Sequence, residues 1–203
     1  MQDLTGFAQI LKDTGVSDFA KDLIGYVIGD KLSVKRAMNL SKIITNANVD
    51  NNGVALLNDK YKVNFINNAS LEDDADMQEL WSNLLHNSVA NKDSNVTYLN
   101  ILKELDVVSA KIFNKIYSTE VHKMHELSPL DFYDFGCNNN NIVSEFDNLG
   151  RLRLVRIDNP VSINGIKPNR PHAMQLIKER NTYYLKTDLG FAMYKHLNRL
   201  PIQ

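Results

Sequence analysis

The chain of 203 residues has 43% hydrophobic and 23% charged residues, the proportions of an ordinary soluble globular protein. No apolar run approaches the roughly 18 residues that a membrane-spanning helix needs, and Met1–Thr5 lacks the basic and apolar blocks of a signal peptide. The single cysteine, Cys137, excludes an internal disulfide framework. These features predict a cytoplasmic protein with no membrane contact and with one large domain or two small ones.

The formal net charge of −1 conceals an uneven distribution. Residues 1–150 carry 13 Lys and Arg against 21 Asp and Glu, a difference of −8, whereas residues 151–203 carry 10 against 3, a difference of +7. A basic end is expected where a protein meets a polyanion, but it also fits a tail that neutralises the acidic body within the chain or between subunits. Nucleic acid, another protein and a second copy of the chain are therefore the candidate partners.

The chain up to residue 95 predicts a helical bundle. Apolar residues recur with helical spacing from Phe19 to Val27, from Leu40 to Ala47 and from Leu56 to Ile66. The polar sequence Asn51-Asn52-Gly53 is typical of a turn and separates the second stripe from the third. All three stripes are more typical of core-facing helix surfaces than of functional sites.

The best-specified helix of this bundle begins near Ser70. Ser70 is the predicted N-cap, and Glu72, Asp73 and Asp74 follow it where the positive helix end favours anions. Apolar residues then repeat every three or four positions, which predicts an amphipathic helix that buries the only tryptophan. These residues are Met77, Leu80, Trp81, Leu84, Leu85 and Val89. The polar stretch 91–94 should end the helix and divide the chain into a helical domain, 1–95, and a second domain, 96–203.

Three short helices are predicted at the start of the second domain. Apolar stripes indicate helices from Tyr98 to Leu105, from Val108 to Tyr117 after a cap at Asp106, and from Ile142 to Leu149. Gly150 is the natural residue to end the third helix, because glycine adopts the left-handed conformation at a helix C-terminus easily.

Strands are predicted only after residue 150. Arg151–Ile157 is the first, and Met174–Lys178 with Thr182–Lys186 form a hairpin, before Thr187 caps a last helix. Three helices, two or three strands and a closing helix are the order of a winged helix-turn-helix domain. The fold class is thus mainly α: an N-terminal helical bundle followed by a winged-helix-like α+β domain.

The basic side chains of the first strand, the following loop and the hairpin are the candidate nucleic-acid-binding groups. They are Arg151, Arg153, Arg156, Lys167, Arg170, Lys178 and Arg180. Such groups neutralise phosphates and release counterions, so binding should weaken steeply with salt. The third helix also carries Glu145 and Asp147, which oppose close approach to phosphate. We therefore expect weak, sequence-indifferent binding through the wing, with a protein partner as the alternative.

Four blocks of sequence, in order along the chain, resemble the abortive infection alpha (Abi-alpha) family of bacterial phage-resistance proteins. They are Arg36–Leu40, Asn68–Asp74 leading to Leu80–Leu85, Tyr98–Leu105 running into Ser109–Ile112, and Asp147–Leu152 with Tyr184–Gly190. Val107-Val108 and Lys186 depart from the family pattern. The resemblance implies a role in anti-phage defence, supplies no catalytic constellation and leaves the mechanism open. We expect the chain to act by macromolecular binding, with nucleic acid or a phage or host protein as the partner. The alternative function is a winged-helix DNA-binding transcriptional regulator.

The sequence predicts no enzyme, cofactor or metal, because it has no Gly-rich phosphate loop, Walker-type lysine, dinucleotide fingerprint or nucleophile elbow. His122 and His125 are spaced to face one ion, but no third ligand is identifiable, and solvated histidines at a helix end are the alternative. Cys137 is interpreted as an incidental thiol. Arg36 and Asn39 share a helical face and are a candidate interdomain or interface contact, with a purely structural role equally open.

Overall fold

The computed structural model describes residues 34–49, 51–118, 139–158 and 183–200. This part of the chain is mainly helical, as predicted, with eight helices and one two-stranded sheet. The helices are α1 (Val34–Ala47), α2 (Asn51–Ala55), α3 (Asp59–Ala69), α4 (Ala75–Ala90), α5 (Val96–Leu102), α6 (Val107–Ser118), α7 (Asn139–Arg151) and α8 (Asp188–Leu197). The strands are β1 (Val155–Asp158) and β2 (Tyr183–Lys186), and both follow residue 150 as predicted. None of the described helices combines the length and the apolar character that crossing a membrane requires.

Contacts divide the chain into two compact units. Unit 1 combines Met1–Glu104 with Lys195–Gln203, and unit 2 is Leu105–Tyr194. Helix α8 therefore contributes its first residues to unit 2 and its last residues to unit 1. The division falls after α5, and the domain boundary between residues 95 and 96 stays a prediction.

Trp81 lies at the centre of unit 1, where α1 packs against α4 and α3, and α3 packs against α5. Trp81 is 1% exposed, which confirms its predicted burial. Its ring meets that of Phe65 edge-on at 5.7 Å, and Phe65 stacks on Tyr61 at 6.3 Å. The Tyr61 hydroxyl shares a hydrogen bond of 2.7 Å with Ser88, and burial raises the pKa of Tyr61. An aromatic column therefore joins α3 to α4.

The predicted N-cap of α4, Ser70, is wrong. Asp74 is the N-cap, and its carboxylate accepts hydrogen bonds from the backbone N–H groups of Asp76 at 2.9 Å and Met77 at 3.1 Å. The N–H groups of residues 70, 71 and 72 instead donate back to carbonyls of α3, so the chain is still completing α3 at Ser70. A new helix begins only where an acceptor side chain follows that turn.

Asp74→Ala should lower the free energy of unfolding by about 0.5–2 kcal/mol, because the first N–H groups of α4 lose their acceptor. Asp74→Asn should retain most of the stability, since asparagine caps helices about as well as aspartate. Urea unfolding followed by circular dichroism measures both changes, and Glu79→Ala, which removes an exposed carboxylate of the same helix, is the control. Unchanged stability in Asp74→Ala would show that the cap does not stabilise the protein.

The predicted turn at Asn51-Asn52-Gly53 is also wrong, because these residues begin the short helix α2. The chain turns earlier, at Asn48, which adopts a positive φ of 50° after α1. The third helix begins later than its apolar stripe predicted: Asn58 is its N-cap, and Leu56 is 63% exposed before it. Asparagine adopts left-handed backbone and caps helices readily, so the asparagines here allow several turn positions.

Buried amides of α4 fix the end of α8 within unit 1. The side-chain N–H groups of Asn83 and Asn87 donate to the carbonyls of Leu197 at 2.8 Å and His196 at 2.7 Å. Arg199, at a positive φ of 51°, donates to the Asn83 side chain and to a backbone carbonyl at the end of α1. These bonds satisfy carbonyls that a helix C-terminus leaves without intrahelical partners.

Unit 2 is built from α6 and α7, which pack together, and from the antiparallel pair of β1 and β2. Val155 pairs with Lys186, and Asp158 pairs with Tyr183. Asp106 caps α6 as predicted, since its carboxylate accepts from Ser109 N at 2.7 Å. The predicted strand Met174–Lys178 and its turn lie outside the described residues.

The end of α7 differs from the prediction. Gly150 lies inside the helix, Arg151 is its last residue, and the left-handed residue is Arg153, with a φ of 60°. Leu154 N donates to Leu149 O at 2.9 Å, and Arg153 N donates to Gly150 O at 3.0 Å, the two bonds of a Schellman motif. The first strand therefore begins at Val155 instead of the predicted Arg151.

Tyr117 of α6 binds the backbone just before β1 and just before α8. Its hydroxyl donates to Leu154 O at 2.6 Å and accepts from Thr187 N at 2.9 Å, and burial raises its pKa. Thr187 caps α8 as predicted, because its hydroxyl oxygen accepts from Gly190 N at 2.9 Å. A Cβ on Gly190 would lie 2.6 Å from Tyr117 Cζ and still closer to Tyr117 Oη and Leu154 O. Only glycine fits at this position.

Candidate anion-binding groove

A groove of about 550 Å³ opens in unit 2 where α7 turns into β1. Three arginines, one carboxylate, one hydroxyl, one valine and one glycine line it: Arg151, Arg153, Arg156, Asp147, Thr187, Val155 and Gly150. We call it the arginine groove. It contains three of the basic residues that the sequence selected.

The Schellman turn brings the three arginines to one place. Arg151 is the last residue of α7, Arg153 is the left-handed residue of the turn, and Arg156 lies in β1 opposite Leu185. Val155 is buried beside them, whereas all three arginines are exposed. A straight strand from residue 151, as predicted from the sequence, would have set Arg156 on the opposite face from Arg151 and Arg153.

Two hydrogen bonds of its own backbone groups hold Arg153 in the left-handed conformation. Its N–H donates to Gly150 O at 3.0 Å, and its carbonyl accepts from the Thr187 hydroxyl at 2.7 Å. The left-handed conformation costs a non-glycine residue roughly 1–2 kcal/mol, so these bonds are needed to keep it. A cation is favourable here because the helix C-terminus carries partial negative charge.

Three guanidinium groups and one carboxylate give the lining of the groove a net positive charge. Arginine stays protonated throughout the physiological range, and its planar guanidinium binds phosphate through two parallel hydrogen bonds. Arg151 donates to the Asn148 side chain at 2.7 Å, which fixes one of the three groups. Within the described part of the chain, neither the guanidinium of Arg153 nor the carboxylate of Asp147 makes a hydrogen bond or ion pair. The arrangement is suited to binding an anion.

Seven other candidate residues of the sequence lie outside the described residues: Lys167, Arg170, Lys178, Arg180, His122, His125 and Cys137. Among the residues that are described, no three His, Cys, Asp or Glu side chains are grouped to hold a metal ion. Asp147 and Thr187, which the sequence did not propose as site residues, line the groove and could have been found only from the geometry of the α7 turn.

Arg36 and Asn39 hold the connection between α3 and α4 against α1, all within unit 1. The Arg36 guanidinium donates to Ser70 Oγ at 3.0 and 3.2 Å, and Asn39 donates to the Asp73 carboxylate at 2.8 Å. Lys35 also donates to Asp73, and the hydrogen bonds from Lys35 and Asn39 lower the pKa of this carboxyl group. These contacts give both residues a structural role, and an interdomain role stays a prediction.

A comparison with protein-family models identifies a family for this chain. The family model described as abortive infection alpha matches residues 31–193, which is most of the chain and includes every residue of the arginine groove. No curated protein and no solved structure matches this chain. The match agrees with the resemblance carried by the four sequence blocks, and the chain therefore belongs to the abortive infection alpha family.

Proposed function

We propose that this chain protects bacteria against phage by abortive infection and that it acts by binding nucleic acid through the arginine groove, without chemistry of its own. Family membership supports the biological role. The observation that carries the mechanism is the convergence of Arg151, Arg153 and Arg156 on one groove. These arginines belong to the segment after residue 150, where the sequence concentrates positive charge. A cytoplasmic location suits both the family role and the single cysteine.

The order of elements in unit 2 supports a winged-helix-like reading of this surface. Two helices, α6 and α7, are followed by the antiparallel strands β1 and β2 and then by α8. In winged helices the strand pair flanks the helix that faces DNA, and basic side chains at that corner contact the phosphate backbone. The arginine groove occupies the corner between α7 and β1. Phosphate contacts of this kind carry no sequence information, so we propose sequence-indifferent binding.

The second candidate function is a transcriptional regulator, which the same order of elements favours. A phage challenge separates the two functions. Abortive infection protects a culture at low phage dose and sacrifices it at high dose, and the gene should confer this without other genes of its neighbourhood. A regulator should instead bind the DNA of its own promoter specifically and give no protection alone.

Binding of random duplex DNA should fall steeply with salt. Each phosphate that a cation neutralises contributes about −0.9 to the slope of log K against log salt, so the three groove arginines predict a slope of about −3. Arg153→Glu/Arg156→Glu should abolish measurable binding at low salt, because two attractive contacts become repulsive. Fluorescence anisotropy at increasing salt measures both quantities.

The control for this variant is Lys42→Glu/Lys60→Glu, which makes the same change in net charge at exposed lysines of unit 1. It should bind duplex DNA within about twofold of the unmodified chain if the groove arginines, and not the net charge of the chain, carry the binding. Equal binding by the two variants would show that the arginine groove is not the nucleic-acid site. Thermal unfolding of both variants verifies that they are folded.

A further inference from the structure

The arginine groove contains a carboxylate as well as three guanidinium groups. Asp147 lies one helical turn before Arg151 on α7, on the same face of the helix. The Asp147 carboxylate is exposed and, among the described residues, pairs with none of the arginines, while Arg151 is turned towards Asn148. A carboxylate in this position weakens the attraction that the three arginines exert on a simple anion. The groove is therefore better matched to a ligand that carries a negative charge and also hydrogen-bond donors.

A nucleotide has both features. Its phosphate accepts hydrogen bonds from guanidinium groups, and its base presents N–H donors to a carboxylate. Guanine is the best match, because its N1–H and its exocyclic N2 amino group are adjacent and point the same way, as do the two oxygens of a carboxylate. Uracil presents a single N–H between two carbonyl oxygens, and these oxygens repel a carboxylate. Asp147 should therefore favour guanine over uracil.

The dimensions and walls of the groove suit one nucleotide. Its volume of about 550 Å³ lies within the range of roughly 300–1,000 Å³ that is typical of small-molecule sites. Arginine planes stack on bases, and Val155 adds an apolar residue to the lining. Gly150 adds no side chain to the lining.

We propose that the arginine groove binds a guanosine phosphate, with Arg153 and Arg156 on the phosphate and Asp147 on the Watson–Crick edge of the base. The inference rests on the proposed function only in that it uses the same groove. The same chemistry is presented by a free nucleotide and by an unpaired guanosine at the end of a nucleic-acid strand. A base-paired guanine cannot offer this edge, so duplex DNA would occupy only the arginines.

Calorimetric titration of the full chain tests the proposal with GMP, UMP and inorganic phosphate. We expect GMP to bind about tenfold or more tightly than UMP, the usual scale of a bidentate base contact. Asp147→Asn should remove this preference and at the same time bind inorganic phosphate more tightly, because a repelling charge is gone. Opposite changes for GMP and phosphate cannot come from unfolding. Glu79→Gln, which neutralises an exposed carboxylate in unit 1, should leave both affinities unchanged.

Equal binding of GMP and UMP by the unmodified chain would overturn the proposal, as would a loss of affinity for both GMP and phosphate in Asp147→Asn. Binding of duplex DNA without binding of GMP would also overturn it, and would leave the proposed function intact. A short uridine RNA that ends in guanosine distinguishes a free nucleotide from an unpaired guanosine at the end of a strand. Tighter binding of this RNA than of GMP assigns the site to strand ends, and the reverse assigns it to the free nucleotide.

Discussion

Trp81→Ala is expected to lower the free energy of unfolding by about 3–5 kcal/mol, the usual cost of deleting a buried aromatic side chain. Trp81 is 1% exposed and joins α4 to α3 through its edge contact with Phe65, so its removal leaves a cavity in the core of unit 1. For a chain of this length each kcal/mol corresponds to roughly 2–4 °C, so the melting temperature should fall by about 6–20 °C. Thermal unfolding followed by circular dichroism measures the change.

Two further variants show whether the loss of stability comes from the buried aromatic ring of Trp81. Trp81→Phe keeps an aromatic ring against Phe65 and should cost clearly less than Trp81→Ala. Leu71→Ala removes an apolar side chain that is 61% exposed in the same unit and should change the melting temperature little. If Trp81→Ala unfolds at the same temperature as the unmodified chain, the column formed by Trp81, Phe65 and Tyr61 is not the core of unit 1.

Gly190→Ala is expected to prevent the native packing of unit 2. The new Cβ would overlap the Tyr117 hydroxyl and the Leu154 carbonyl, and the latter is backbone that cannot rotate away. Overpacking of a core costs typically 1–3 kcal/mol. Here the overlap also breaks the bonds that Tyr117 makes to Leu154 and Thr187, so the loss should exceed that range. Loss of near-ultraviolet dichroism or of cooperative unfolding of unit 2 measures it.

Two comparisons separate overlap from lost hydrogen bonding. Tyr117→Phe removes the hydroxyl bonds alone and should cost about 1–3 kcal/mol, the penalty for leaving buried polar groups unsatisfied. Phe191→Ala, at the next position of α8, removes a side chain that is 49% exposed and should have little effect. A Gly190→Ala variant as stable as Phe191→Ala would contradict the close approach of α6 to α8 at this glycine.

The helices could be predicted where apolar residues recur regularly with helical spacing. The apolar stripe from Met77 to Leu85 correctly predicted α4. An amphipathic helix has one apolar face, and this is the face that it buries. Capping by Asp106 and Thr187 was also predictable, since an acceptor side chain stands directly before the first helical residue. These signals are local, and tertiary packing does not override them here.

The helix ends were predicted wrongly where the local sequence offers more than one residue that could cap or end the helix. Ser70 and Asp74 are both good N-caps, and the choice depended on backbone bonds that complete α3. Gly150 was the expected left-handed residue, yet Arg153 takes that conformation because Thr187, distant in sequence, binds its carbonyl. Asn83 and Asn87 interrupt the apolar face of α4, and their partners are carbonyls at the end of α8. No sequence pattern reveals such a partner.

The candidate site was predictable in composition but not in geometry. Charge concentrated after residue 150 pointed to Arg151, Arg153 and Arg156. Their convergence depends on the Schellman turn between α7 and β1, and so does the presence of Asp147 in the same groove. On a sequence basis Asp147 only opposed phosphate binding, whereas in the folded chain it adds a hydrogen-bond acceptor beside the arginines.

The most direct test of the account is phage protection by the arginine-groove variant. Cells expressing the unmodified chain, Arg153→Glu/Arg156→Glu or Lys42→Glu/Lys60→Glu at equal protein levels are challenged with phage at low dose, and culture survival is measured. We predict that the lysine variant protects as the unmodified chain does and that the arginine variant, although folded, does not protect. Full protection by the arginine variant would contradict the claim that this groove carries the defence function.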